Sequence, residues 1–236
     1  MSISTSINQA RVWFYRRRTL GAIDSIVAIK RRHADFVQVR DRIRASGTDS
    51  LSHFGNGYTH EGGLYLQQNP DEFAALTLFL RERGPHKAYM EIGAASGGAC
   101  LFLSREVGFE SVLSLDNGEH PRAVAQAAHF AQVRNFKQFL GDSHSEEARC
   151  FLETNVDRKL DVAFIDGDHS YEGVWQDIEL TLPFCRKGAL IVLHDTIACY
   201  GVEKAWLRCG REKRVRPLAE YVGDVKPLGI AVSEVV

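Results

Sequence analysis

The stretch AYMEIGAASGGAC, residues 88–100, decides the fold. A short apolar run carries Glu91 near its end, and a glycine-rich turn then leads into a segment of helical period. Glycines at 93, 97 and 98 allow positive φ and bring the backbone close to a ligand, although such turns also serve plain tight packing. The rest of the chain shows what this unit belongs to. Four more apolar runs follow: SVLSLD (111–116), KQFLGD (137–142), DVAFIDG (161–167) and ALIVLHD (189–195). They alternate with helical segments near 97–107, 121–135, 145–154, 171–182 and 201–209, which predicts an α/β, doubly wound, parallel sheet. All five runs end on a glycine or an acid, and in such sheets ligands bind outside the carboxyl ends of the strands. The closing stretch, RVRPLAEYVGDVKPLGIAVSEVV, reads as a hairpin turning around Gly223 to Pro227.

Towards the N-terminus, QQNPDEFAALTLFLRERGP (67–85) carries concordant helix signals. Asn69 is the N-cap, Pro70 the first helical residue, Glu72 completes a capping-box-like spacing, and Gly84-Pro85 is the stop. Phe73, Leu76 and Leu80 lie on one face. The polar FGNGYTHEGGLYLQQ (54–68) reads as a lid, with Gln67 or Gln68 touching the ligand, or as a linker. Residues 1 to about 50 look helical and end in the turn-rich ASGTDS. Within them TLGAIDSIVAI is too short to span a bilayer and carries Asp24. It is flanked by Arg16, Arg17, Arg18 and Lys30, Arg31, Arg32, which reads as an amphipathic helix with a solvated basic face rather than a surface for a membrane or an acidic partner. The division expected is a helical extension over 1–58 and a main domain over 59–236.

With 236 residues, 44% hydrophobic and 25% charged, the composition is that of an ordinary soluble globular chain. Lys+Arg 29 against Asp+Glu 30 leaves a net charge of -1, so no global field favours nucleic acid. The five cysteines are odd in number and contain no CxxC pair, so they read as reduced and the location as cytoplasmic. MSISTSINQA lacks the pattern of a secretory signal.

The acids narrow the ligand. Asp116 follows Gly93 by 23 residues (116 − 93), near the offset of about 20 at which an acid meets ribose hydroxyls. Asp142 is placed to reach a base, and together these point to an adenosine-containing ligand. A dinucleotide needs its pyrophosphate at the helix N-terminus, usually through G-x-G-x-x-G, but the second glycine position here is Ala95. Glu91 would sit badly beside a pyrophosphate and well beside an ammonium. S-adenosylmethionine carries an adenosine and an ammonium and has no phosphate.

The ordered set EIGAASGG, LSLD, GDS, FIDGDHSYEGVWQDIE, GALIVLHDT and GIAV resembles class I S-adenosylmethionine-dependent methyltransferases. It is most similar to the branch of bacterial sugar and antibiotic-tailoring O-methyltransferases and cephalosporin-hydroxylase-like proteins. The likeness covers roughly residue 60 to the end. It implies a Rossmann-like sheet of seven strands, mostly parallel with the last antiparallel. It also implies cofactor contacts at Glu91, Gly93, Ala94, Ser96, Gly97, Asp116, Asp142, Ser143 and Asp166.

Carboxylates ending neighbouring strands are balanced by a cation between them, and hard divalent ions take oxygen ligands, so Asp166 and Asp195 could bridge a Mg2+-sized ion. The resemblance gives the metal set as Asp166, His194 and Asp195. The relatives usually have an acid at the position of His194, and imidazole prefers transition metals to magnesium, so Mg2+ or another divalent metal is expected. Asp168 matches the position of the general base, and His169 competes for that role. The plainer readings make Asp168 a turn residue or N-cap and His169 a backbone partner. Tyr171 and Trp175 read as packing, Glu172 and Asp177 as solvated.

These residues point to metal-assisted O-methylation of a hydroxyl on a small molecule, a sugar or natural-product glycoside. One alternative is a metal-free methyltransferase with His194 and His169 as bases. Another is a catalytically silent cofactor-binding or interaction module that docks through its basic N-terminal helices. Expected partners are the hydroxyl acceptor and a second copy joined through the N-terminal helices, with no nucleic acid and no transmembrane segment.

Overall fold

The computed structural model describes residues 23–46, 68–120, 130, 133 and 135–236. Seven strands form one sheet: β1 Ala88–Ile92, β2 Ser111–Asp116, β3 Phe136–Leu140, β4 Leu160–Ile165, β5 Cys185–His194, β6 Val215–Tyr221 and β7 Ile230–Val235. Their order is β3-β2-β1-β4-β5-β7-β6. The β1 to β5 pairings are parallel, and β7 runs antiparallel to both of its neighbours. The expected five parallel strands and closing hairpin are therefore present, and the fold is the Rossmann-like, doubly wound sheet. The helix expected near 121–135 falls mostly outside the described residues.

Seven described helices flank the sheet: α1 Ile26–Arg32, α2 Phe36–Ala45, α3 Pro70–Arg83, α4 Gly98–Val107, α5 Glu146–Asn155, α6 Tyr171–Thr181 and α7 Tyr200–Arg211. Successive strand side chains point to opposite faces, so each inner strand feeds two cores. Tyr89, Val112, Val162, Phe164, Leu190 and Val192 join the apolar residues of α1 to α4. Met90, Leu113, Ala163, Ile165, Ile191 and Leu193 join those of α5, α6 and α7. Burial of β1 and β4 on both faces explains why their sequences read as continuous apolar runs rather than alternating ones. Phe73 of α3 packs with ring centroids 5.8 Å from Phe102 and 6.5 Å from Phe164, tying α3 to α4 and β4.

The start of α3 forms as its signals require, with one difference. Asn69 Oδ1 accepts from the N–H groups of Asp71 and Glu72 at 3.0 and 3.3 Å, and Pro70 opens the helix. Glu72 does not close a capping box. It is fully buried, and its carboxylate accepts from the N–H groups of Gly223, Leu228 and Gly229 at 2.7, 3.2 and 2.9 Å. Burial raises its pKa against the pull of those donors. The spacing that suggests a cap is used to hold the β6–β7 loop.

The described N-terminal residues share the main core. Ile26, Ile29, Phe36, Val39 and Ile43 are buried against α3. Asp24 extends the sheet edge in a parallel bridge to Ala219, through Asp24 N–H to Leu218 O at 2.8 Å and Glu220 N–H to Asp24 O at 3.0 Å. The basic residues at the end of α1 meet acids of the domain: Lys30 lies 3.4 Å from Asp71, and Arg32 pairs with Asp24 and Glu82.

Candidate active site

The ends of β1, β2 and β4 and the loop after β3 surround a cleft of about 580 Å³, ordinary for a small-molecule site. Gly93, Asp116, Asp142, Ser143, Asp166 and Asp168 all line it. Ala94, Ser96 and Gly97 form the turn from β1 into α4, with Ala94 and Ser96 buried. Glu91 is buried within β1 and accepts from Tyr89 Oη at 2.5 Å. Burial pushes its carboxyl up to about 8, with nearby Asp166 adding to the rise.

Two glycines of the turn have local causes. At Gly93, φ is +83°, and a Cβ there would stand 2.1 Å from the carbonyl oxygen of Asp166. The close approach of the β1 and β4 ends therefore demands glycine whatever binds. Gly97, at φ 85°, is the N-cap of α4. Asp116 braces the same turn: its carboxylate accepts from Ala95 N–H at 2.7 Å and Gly118 N–H at 2.8 Å. A carboxylate has about four lone-pair sites, so it keeps capacity for two ribose hydroxyls.

Behind Ser143 lies a residue that the sequence reading placed wrongly. Asp177, expected to be solvated, is fully buried in α6. Its Oδ1 accepts from Ser143 Oγ at 2.7 Å and lies 3.2 Å from His144 Nε2. Burial pushes its pKa up to about 6, opposed by those two partners. The signal was available: Asp177 sits at the i+3 position from Val174, next to Ile178, on the apolar stripe of α6. Glu172, by contrast, is exposed as expected.

At the other end, β4 and β5 bring Asp166, His194 and Asp195 together. His194 Nδ1 lies 2.9 Å from Asp166 Oδ1 and 3.5 Å from Asp195 Oδ2. Asp195 adopts φ +60°, uncommon for a residue with a side chain and a mark of positions fixed by their surroundings. The following N–H groups of Thr196 and Ile197 bond to Gly229 O and Leu228 O, so the loop held by Glu72 also supports this turn. His169 folds back over the pair, its Nε2 3.4 Å from Asp166 Oδ1 and 3.2 Å from Asp195 Oδ2. Gln68, which the sequence suggested as a ligand contact, donates from Nε2 to Asp166 Oδ2 at 3.1 Å; residues 54–67, read as a lid or a linker, lie outside the described residues. Burial works to raise the Asp166 carboxyl, but the facing imidazoles hold it down at about 2. Burial likewise works to lower His194, and the two carboxylates raise it to about 10.

Asp168 is exposed, and its carboxylate accepts from Ser170 N–H at 2.7 Å and Ser170 Oγ at 2.9 Å. Ser170, not Asp168, is the N-cap of α6. Tyr171 and Trp175 pack against α7, with the Arg208 guanidinium 3.6 Å from the Trp175 ring centroid. The donor set at the β4 and β5 ends, the Asp166 and Asp195 carboxylates and the His194 imidazole within 4.8 Å of one another, has the chemistry of a divalent-cation site.

Residues 90–196 match the family described as a methyltransferase domain. An uncharacterized protein of Acanthamoeba polyphaga mimivirus, R132, is 27% identical over 115 residues, covering 45% of this chain and 50% of that protein. The chain thus aligns with about half the length of that curated relative. Among solved structures, an O-methyltransferase from Bacillus cereus in complex with SAH superposes with a TM-score of 0.61 at 17% identity, covering 96% of this chain and 97% of that one. The O-methyltransferase TomG from Streptomyces achromogenes, involved in tomaymycin synthesis and in complex with SAM, gives 0.58 at 15% identity with full coverage, 100% of both chains. Family match and architecture agree: residues 90–196 match a methyltransferase domain, and the fold is the Rossmann-like one of the methyltransferase structures it superposes on.

Proposed function

We propose that the protein transfers the methyl group of S-adenosylmethionine to a hydroxyl of a small molecule, a sugar or natural-product glycoside, held at the β4–β5 end of the cleft. One observation carries this reading: Asp166 both lines the cleft and belongs to the acid–imidazole cluster, so donor and acceptor subsites share a wall. Asp116 accepts from the ribose hydroxyls, and Asp142 and Ser143 meet the adenine. Glu91 lies under the methionine end. Asp166, His194 and Asp195 hold a divalent cation, which when bound supplies Lewis acidity that eases loss of the acceptor proton. The acceptor oxygen forms its bond to the methyl carbon as the carbon–sulfur bond breaks, and Asp168 takes the hydroxyl proton. Asp168 lines the cleft, and its pKa lies below the usual carboxylate value, chiefly through the Ser170 N–H, so it is ionised and able to accept at neutral pH. Rate gain comes mainly from orienting the two reactants and from fixed charges around them.

The same reading places the protein in the cytoplasm. The five cysteines are free, and an odd number without a CxxC pair supports a reducing compartment. No described helix is long and apolar enough to cross a membrane. Mass spectrometry of glycosides incubated with purified protein and S-adenosylmethionine tests the proposal. A product one methyl group heavier, lost with Asp166→Ala, supports it; no methylated product from any hydroxyl acceptor, with methylation of amines instead, overturns it.

A further inference from the structure

We propose that Asp177 is a positioning residue for the cofactor: from inside α6 it anchors Ser143 and His144, and through them Asp142, and so sets which base the nucleotide end of the cleft accepts. This rests on the methyl-transfer reading and deepens it. Asp142, Ser143 and His144 all line the cleft. Local bonds give their loop its shape: Asp142 Oδ1 accepts from His144 N–H at 2.9 Å, and Asp142 O accepts from Ser145 N–H at 3.1 Å and Ser145 Oγ at 2.7 Å. The loop is tied to the sheet at its start, where Gly141 N–H donates to Asp116 O at 2.8 Å. Its middle is tied by Asp177, whose Oδ1 accepts from Ser143 Oγ at 2.7 Å and lies 3.2 Å from His144 Nε2.

An ionised carboxylate only accepts, so the Nε2 of His144 that faces Asp177 carries a proton. The other ring nitrogen, Nδ1, lies 3.6 Å from Asp142 Oδ1. The imidazole therefore stands between a buried acid and a cleft acid, its own side chain 23% exposed where that of Asp142 is 70% exposed. An acid that open has rotamer freedom to lose when it meets a ligand, and holding it beforehand lowers that cost. The second oxygen of Asp177 is buried with no partner among the described residues, and a Cβ at Gly167 would stand 3.2 Å from it. Burying a carboxylate with one oxygen unpaired costs stability, which an apolar side chain on the same stripe as Val174 and Ile178 would avoid. What the acid adds at this place is its pair of contacts with the cleft loop.

The edge of adenine offers an amino donor beside a ring-nitrogen acceptor, whereas hypoxanthine offers a carbonyl acceptor beside a ring N–H. The Asp142 carboxylate only accepts, so it matches the amino group and repels the carbonyl. A site built on placed hydrogen-bonding groups rejects an analogue that leaves them unpaired, but only while those groups are kept in place. Fully buried, Asp177 acts through the loop rather than on the ligand.

The test is calorimetric titration of the full chain with S-adenosylhomocysteine and with S-inosylhomocysteine, which differs from it only in the base. Wild type should prefer the adenine ligand by at least about 10-fold. Asp177→Leu, with the same branching and no acceptor, should weaken S-adenosylhomocysteine binding by about 10- to 30-fold and cut the preference to within about 3-fold. Asp177→Asn keeps an acceptor oxygen for Ser143 and His144 and should hold affinity and preference within about 3-fold of wild type. A residue needed only for stability would lower affinity for both ligands alike and leave their ratio unchanged. His144→Ala should cost less in the Asp177→Leu background than in wild type, because the two side chains act along one route. If Asp177→Leu does not fold, the Ser143→Ala/His144→Ala double variant, altered on the cleft side alone, should show the same loss of preference. Equal binding of the two ligands by wild type, or wild-type preference in folded Asp177→Leu or in that double variant, overturns this inference alone. Wild type that binds neither ligand overturns the methyl-transfer reading and this inference with it.

Discussion

At the end of β2, Asp116 is held by two backbone N–H groups, whereas at the end of β4, Asp166 is held by two imidazoles and a glutamine side chain. Both are acids closing parallel strands that flank β1, and both line the same cleft. The contacts differ in what sets them. The backbone donors around Asp116 are fixed once the strand and turn form, so that subsite exists as soon as the fold does. The partners of Asp166 are side chains, two of them titratable imidazoles, and their arrangement responds to protons and cations. One end is supplied by the architecture, while the other is specified by a handful of residues in this chain.

The strongest challenge to that contrast is loss of one acid at the responsive end. Asp166→Ala should reduce methyl transfer by about 10³-fold or more while changing S-adenosylmethionine affinity by less than about 10-fold. Parallel kinetics and calorimetry would show it. A matched collapse of cofactor binding would mean the two ends are one unit. Gly93→Ala probes the junction between them: with positive φ and a Cβ 2.1 Å from the Asp166 carbonyl oxygen, it should destabilise the fold by about 3 kcal/mol in urea unfolding. Asp116→Ala should weaken cofactor binding by about 30-fold, or about 2 kcal/mol, through lost hydroxyl acceptors and a loosened turn. It should leave metal affinity untouched.

The smallest effect concerns the support behind the nucleotide end. Asp177 has a folded pKa near 6, above its unfolded value near 3.8, so the folded state holds the proton more tightly. Its contribution is fully present below about pH 4 and is lost as pH rises to 6. Asp177→Asn mimics the protonated form, with His144, Asp168 and Ser143 facing it. Relative to wild type, the variant should gain about 2–3 kcal/mol between pH 4 and 7 in urea unfolding. A constant difference across that range would show that the Asp177 carboxyl does not change protonation there.

Much of the fold was legible because buried parallel strands must be continuously apolar and end where ligands bind. The positions of Asp116, Asp166 and Asp195 followed from those endings alone. What escaped the sequence depends on contacts between distant segments. Glu72 has the spacing of a helix cap, yet its partners lie at Gly223, Leu228 and Gly229, more than 150 residues away. His169 was read as a possible base because its neighbour Asp168 drew attention. Its place over Asp195 depends on the closeness of α7, which only Gly201 permits. Asp177 was misread by weighing its charge above its position on an apolar stripe.

The short parallel bridge between Asp24 and Ala219 has a consequence for how copies of this protein can meet. The outer rim of β6 would otherwise present free amide and carbonyl groups to any extended peptide. With Leu218 and Glu220 already engaged, edge-to-edge pairing is blocked along that part of β6, which leaves β3 as the other edge of the sheet. A chain shortened past residue 46 would reopen the border, strip the cover from α3, and become prone to polymerise.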